Sequence, residues 1–249
     1  MKKLAMMALA PCLFVGGVLA ATGGFDNAAN SAYSDGWTNL DNGGTAGTFL
    51  PWDLTNNNNG GSNFAGYFIG DSTAGSGDIN TSGVSFGVYA NPSTAFADAA
   101  RSFGSALSIG QTFSLDLAVN FRNGNKGFSL FDGTTQIFNL NIGGDDYQIN
   151  GVSIGAAYSP TAMFHLSLSQ TSVGAGSYSV LYNSNTYTGS YTGIASGFKF
   201  YNSGTDDGSA ANNLYFNNLS IVPEPSIYAL LAGPALLGAW LFIRRRRVA

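Results

Sequence analysis

No glutamate precedes Glu224, the only cysteine is Cys12, and His165 is the only histidine. Basic residues are as scarce. Six of the ten lie at the two ends of the chain, which leaves Arg101, Arg122, Lys126 and Lys199 between Ala21 and Val222. Each absence removes a class of chemistry. Cys12 falls in an N-terminal leader, so the portion beyond it has no disulfide and no thiol nucleophile, and its stability must come from core burial. Four cations against 13 aspartates give that portion a formal charge of −9. Such a surface repels nucleic acid, whose binding draws on lysine and arginine, and nucleic acid is excluded as a partner. General acid–base catalysis needs a group titrating near the working pH with a partner placed for it. His165 alternates with Phe164, Leu166 and Leu168, a spacing that puts it on the polar face of a strand. Gly151-Val152-Ser153-Ile154-Gly155 has the letters of a nucleophile elbow, but its flanks read as strand rather than strand–turn–helix. No enzymatic activity is expected.

The two ends are what the chain has in plenty. Lys2 and Lys3, an apolar stretch over residues 4–19 and the small-residue site Val18-Leu19-Ala20 read as a secretory signal peptide, residues 1–20, handled by the Sec export machinery. At the other end, Val222-Pro223-Glu224-Pro225 precedes an uncharged run over residues 226–243 and then Arg244, Arg245, Arg246 and Arg247. As a helix, residues 227–243 span about 25 Å, slightly under the roughly 30 Å hydrocarbon core, and Trp240 with snorkelling arginines makes up the difference. The arginines are expected inside and everything before Val222 outside. Locked φ and a missing N–H at each proline are expected to keep residues 222–225 out of helix and sheet.

A Pro-Glu-Pro motif, a short span and a terminal arginine cluster, in that order, resemble the PEP-CTERM sorting signal. The resemblance rests on Pro223, Glu224, Pro225, the span to Ile243 and Arg244 to Arg247, and covers about a tenth of the chain. It implies an exported bacterial protein, held at the inner membrane by its C-terminal helix. An exosortase-type membrane enzyme then processes the tail and passes the ectodomain to the cell surface or an exopolysaccharide matrix. The resemblance concerns address, not activity.

Between the ends, short apolar runs alternate with turn dipeptides. Over residues 111–121, Phe113, Leu115, Leu117, Val119 and Phe121 alternate with Ser114, Asp116, Ala118 and Asn120, the period of a strand with one face in a core. Further strands are expected at 48–54, 64–69, 84–89, 127–131, 136–142, 147–154, 162–168, 178–182, 186–191, 198–201 and 213–222. Asn123-Gly124 and Asp132-Gly133 read as hairpin turns. Residues 94–103 fit a short helix and a strand equally well. About a dozen strands predict an all-β ectodomain, a β-sandwich over residues 21–221, followed by the tail at 222–249. A β-solenoid would show a fixed repeat, and only one internal echo is present. The sandwich resembles jelly-roll, concanavalin-like domains.

Candidate site residues are few. Asp206, Asp207, Asn212 and Asn213 form a loop cluster of Ca²⁺-type oxygen ligands, with Asp145, Asp146 and Asn150 as a second; both also suit turns. Trp37 and Trp52, with Tyr182, Tyr187, Tyr191 and Tyr201, are candidates for a sugar-stacking surface, although aromatics in sandwiches also fill cores. The ectodomain is thus expected to be structural or carbohydrate-binding. A glycan-acting enzyme is the rival reading, and the missing glutamates count against it because glycosidases employ paired carboxylates. A self-assembling surface protein is a further rival that the low charge permits.

Overall fold

A computed structural model describes residues 23–92, 94–205 and 207–223. The signal peptide, Asp206, Glu224, Pro225, the apolar span and Arg244 to Arg247 lie outside the described residues. The first strands are β1 (Gly24–Asp26), β2 (Asp53–Asn56), β3 (Phe64–Gly70), β4 (Ser85–Asn91) and β5 (Phe96–Ser102). Next come β6 (Gln111–Val119), β7 (Asn125–Asp132), β8 (Thr135–Asn141), β9 (Gln148–Ile149) and β10 (Val152–Ser153). The last are β11 (Ala162–Ser172), β12 (Ala175–Tyr182), β13 (Asn185–Thr192), β14 (Gly197–Ser203) and β15 (Leu214–Pro223). They form two antiparallel sheets. One has eight strands in the order β13-β12-β11-β6-β15-β4-β3, with β1 paired to β15; the other has seven, β10-β9-β8-β7-β14-β5-β2. Among the described residues no helix is long and apolar enough to cross a membrane.

Period-two alternation decides which residues meet between the sheets. Phe113, Leu115 and Leu117 of β6 and Phe164, Leu166 and Leu168 of β11 face Phe128, Leu130, Phe138, Phe198 and Phe200 of the other sheet, and all are buried. Phe200 and Phe216 stack across the interface with centroids 3.5 Å apart, and Phe113 stacks on Phe198 at 4.8 Å. The ambiguous residues 94–103 are strand β5: Ala97, Ala99 and Arg101 point inward while Asp98 and Ala100 are half-exposed.

Four local expectations need correction. Asn123-Gly124 is not a hairpin turn, because β6 and β7 belong to different sheets and the dipeptide carries the chain across the sandwich. Residues 147–154 are not one strand. Asn150 (φ +50°) and Gly151 (φ +77°) fold them into a tight turn between β9 and β10, an Asn-Gly signal of the kind that favours primed turns. The strand expected from residue 48 begins only at Asp53; ahead of it Phe49 makes a single bridge to Phe103. Asp132-Gly133 does join β7 to β8 as expected. The last strand runs to Pro223, so Val222 and Pro223 belong to the sheet, opposite Thr112 and Gln111. Proline is tolerated there because a strand's end need not donate to the ladder.

One polar cluster lies inside this apolar core. The Arg101 guanidinium donates to Asp26, to the Leu50 carbonyl and to Asn42, and both charged side chains are fully buried. Its Cζ lies 4.9 Å from the ring centroids of both Phe49 and Trp52. Tyr33 donates to Asp26 at 2.6 Å and accepts from the Trp52 indole at 3.0 Å. Asp26 sits on β1 in the eight-stranded sheet and Arg101 on β5 in the other, so the pair ties the two together. Removing one partner of a buried ion pair leaves the other unpaired in a low-dielectric interior, at a cost of about 3–5 kcal/mol. Arg101→Met is therefore expected to lower urea-unfolding stability by about that amount. Adding Asp26→Leu should restore part of the loss; a double variant no more stable than Arg101→Met would contradict this account.

Candidate functional site

The outward faces of the two sheets differ. On the eight-stranded sheet, strand register sets hydroxyls in rows: Ser220, Ser114, Ser167, Ser179 and Thr188 in one, Thr112, Ser169, Ser177 and Ser190 in the next. Neighbours in these rows bond to each other, as Thr112 does with Ser169 at 2.6 Å and Ser114 with Ser167 at 3.2 Å. Short side chains satisfied by one another make this area flat.

The seven-stranded sheet instead carries a groove of about 380 Å³ over β5, β14, β7 and β8. Alternation places Lys199 and Tyr201 outward between the buried Phe198, Phe200 and Asn202. Lys199 reaches Asp98 on β5 at 2.8 Å, a pair about one-third exposed. On the other side, register brings Ser129 of β7 opposite Asn139 of β8. The Asn139 amide nitrogen donates to the Tyr201 hydroxyl at 2.9 Å, to Ser129 Oγ at 3.2 Å and to the Phe128 carbonyl at 3.1 Å. Ser129 donates to Gln136 Oε1 at 3.0 Å. Among the described residues, this leaves the Asn139 Oδ1, the Gln136 amide N–H groups and the Tyr201 O–H proton without protein partners. Burial pushes the Tyr201 phenol up to about 12, while the Asn139 bond pulls the other way. The hydroxyl therefore stays protonated at any physiological pH. The backbone under it is tight: a Cβ on Gly127 would sit 2.0 Å from the Leu140 carbonyl oxygen and 2.9 Å from the Tyr201 hydroxyl. The result is a floor of fixed donors and acceptors beside a phenol ring, chemistry that matches a ligand rich in hydroxyl groups.

Of the residues singled out for stacking, the groove contains only Tyr201. Trp37 and Trp52 do not form a surface. They are 5% and 0% exposed, packed edge-on at 5.1 Å within the aromatic core, because the segment that carries them folds over the sheet edges and needs their area to close the sandwich. Tyr182 and Tyr191 are buried as well, and Tyr187 packs against the core. The residues that line the groove with Tyr201, namely Asp98, Ser129, Gln136, Asn139 and Lys199, lie on four strands whose pairing order is not their sequence order. The signal that would have found them is outward alternation around Tyr201 and Asn139.

The loop proposed for Ca²⁺ is organised as a turn. Asp207 Oδ1 accepts from the Ser209 backbone N–H at 2.8 Å and from the Asn212 side-chain amide, while Asn213 donates to the Tyr215 hydroxyl at 3.4 Å. Among the described residues of this cluster, these bonds are those of a turn. Asn150 of the second cluster accepts from the Asn139 backbone N–H at 2.9 Å, a turn role. No cluster of three or more metal-ligating side chains occurs among the described residues. Val222 and Pro223 end β15, both exposed.

His165 is half-exposed on β11, on the polar face as expected. Its Nδ1 meets Asp116 Oδ1 on β6 at 2.7 Å, and Asn218 donates to the other carboxylate oxygen at 2.8 Å. Ser167 Oγ lies 3.5 Å from Nε2. The line-up has the order of a hydrolytic triad, but β11 is paired on both sides, so its backbone N–H groups are committed to the ladders rather than grouped as an oxyanion hole. The bond to Asp116 raises the imidazole above its ordinary value, against the opposing effect of burial. The folded state thus holds the proton more tightly than the unfolded one. This stabilisation is complete below about pH 6.5 and is lost as pH rises through the raised value. Partial exposure limits it to under about 1 kcal/mol. Between about pH 6 and pH 8, the wild type should lose stability relative to His165→Gln, read from urea midpoints; parallel pH profiles would overturn the assignment.

Fold and groove together define an antiparallel β-sandwich with a polar, tyrosine-bearing groove on one sheet. No family model and no curated protein matches the chain. Among the solved structures that are similar to it are the following two. Lectin I-B4 from Griffonia simplicifolia, in its metal-free form, is 9% identical with a TM-score of 0.38, over 71% of this chain and 93% of that one. Alginate lyase AlgAT5 from polysaccharide lyase family 7 is 13% identical with a TM-score of 0.36, over 72% and 83% respectively.

Proposed function

We propose that this chain is an exported surface or matrix protein, a sandwich of the jelly-roll or concanavalin-like kind, that binds polysaccharide without chemically altering it. The groove of the seven-stranded sheet is the observation that supports this reading. It combines oriented amide, hydroxyl and phenol groups with an open channel, and sugar hydroxyls both donate and accept. Tyr201→Phe keeps the ring and removes one donor, so it should weaken polysaccharide binding by about 1 kcal/mol, roughly fivefold in Kd, in affinity electrophoresis. Asn139→Ala, which also frees the Tyr201 hydroxyl and Ser129 from their shared partner, should weaken it further. Undiminished binding by both variants would end the groove reading.

Delivery by a PEP-CTERM signal and processing by an exosortase are part of the same proposal. Val222 and Pro223 are exposed at the end of β15, and the motif continues from there into Glu224 and Pro225. A processing enzyme would meet it at the domain surface rather than inside the sandwich. Mass analysis of protein recovered outside the cell should give a chain ending near Pro223-Glu224-Pro225. Replacing Arg244 to Arg247 by glutamine should leave full-length protein associated with the membrane. A secreted wild-type chain with its tail intact would refute processing.

A further inference from the structure

Arg122 is held differently from the other basic residues of the described domain. Arg101 is buried against Asp26, Lys199 pairs with Asp98, and the Lys126 ammonium donates to the Phe121 and Asn212 carbonyls. Arg122 lies between two tyrosine rings, its guanidinium carbon 5.1 Å from the centroid of Tyr147 and 5.3 Å from that of Tyr158. Among the described residues it forms neither an ion pair nor a hydrogen bond. Stacking restrains the plane of the guanidinium without using its forked N–H donors, and the residue is only partly buried.

Arg122 lines a cleft of about 530 Å³ at the end of the sandwich. Phe121 and Tyr158 line it and are 44% and 45% exposed, and the Tyr158 hydroxyl is anchored to Asn120 Oδ1 at 2.8 Å. Asp145 also lines it and offers an acceptor for sugar hydroxyls. The buried Lys126 ammonium, bonded to the Phe121 carbonyl, lies at the same end. In a domain of formal charge −9, two of the four basic residues therefore gather here. Cleft and groove adjoin. Asn125 and Asn141 line the groove where β7 begins and β8 ends, and the loops that join those strand ends, with Asn123, Gly124, Gly144 and Asp145, line the cleft.

We propose that Arg122 receives the carboxylate of a uronic acid residue, in an acidic polysaccharide whose chain continues along the groove. A planar fork takes a carboxylate bidentately, and a cation already fixed by stacking loses little freedom on binding. Phe121 and Tyr158 give flat apolar faces against which a pyranose ring packs. The run of the glycan along the sheet rests on the polysaccharide-binding reading; the contact at Arg122 does not.

Calorimetry with oligogalacturonate and with its methyl ester, which has the same sugars and no carboxylates, tests the assignment on the wild-type ectodomain and on Arg122→Gln, Arg122→Lys and Tyr201→Phe. Esterification and Arg122→Gln should each weaken binding about ten- to a hundredfold and show no added effect together. Arg122→Lys, which keeps the charge but not the fork, should fall between and serves as the folded control. The proposal is overturned if wild type fails to bind the acid form, if the ester binds equally well, or if Arg122→Gln binds within twofold of wild type. Loss in Tyr201→Phe alone would keep the groove and reject Arg122; loss in Arg122→Gln alone would keep the carboxylate contact and reject the groove.

Discussion

The buried pairing of Arg101 with Asp26 is the constraint around which the sandwich closes. A charge in the interior is tolerable only when every donor finds an acceptor in a fixed place. Asp26 at the end of β1, and Asn42 and Leu50 on the stretch that follows it, supply those acceptors. The requirement orders the long stretch between β1 and β2, which has little regular structure of its own. Trp37 and Trp52, carried on that stretch, are thereby set into the core, and Tyr33 links the indole of Trp52 to the carboxylate. With no disulfide available, a polar knot and stacked phenylalanines along the middle do the work that cross-links do in disulfide-bonded domains.

The two faces show how one fold separates inert from receptive surface. On the eight-stranded sheet the rows of small hydroxyls satisfy each other and lie flat, and larger side chains such as Met163, His165 and Leu181 stand to one side of them. On the other, side chains of unequal length leave a trough, and Asn139 orients three neighbours at once while keeping its own oxygen open. The difference lies in residue size and in the backbone's close approach at Gly127, not in sheet geometry, since both sheets are antiparallel and share one core.

Much of the fold was legible because inward positions repeat every second residue: Phe113 to Val119 on β6 and Phe164 to Leu168 on β11 announce their strands. Where the pattern failed, a local signal competed with it. Asn150-Gly151 broke an apparently continuous strand, and Asn123-Gly124 carried the chain between sheets instead of turning it back. The groove was mostly illegible. Only Tyr201 stood out in advance, because Lys199, Asp98, Ser129 and Asn139 become neighbours through the order β8-β7-β14-β5, which no local pattern encodes. The tryptophans misled for a physical reason: the chemistry that makes an indole a good sugar platform also makes it the most effective group for filling a core.

The strand made last, β15, is not at an edge. It lies between β6 and β4 and also takes β1 as a neighbour, so the eight-stranded sheet stays split until residues 214–223 are available. A chain that emerges N-terminus first therefore holds no finished domain until these residues appear. Closure of the sheet waits on β15, and every strand before it is made with that gap still open.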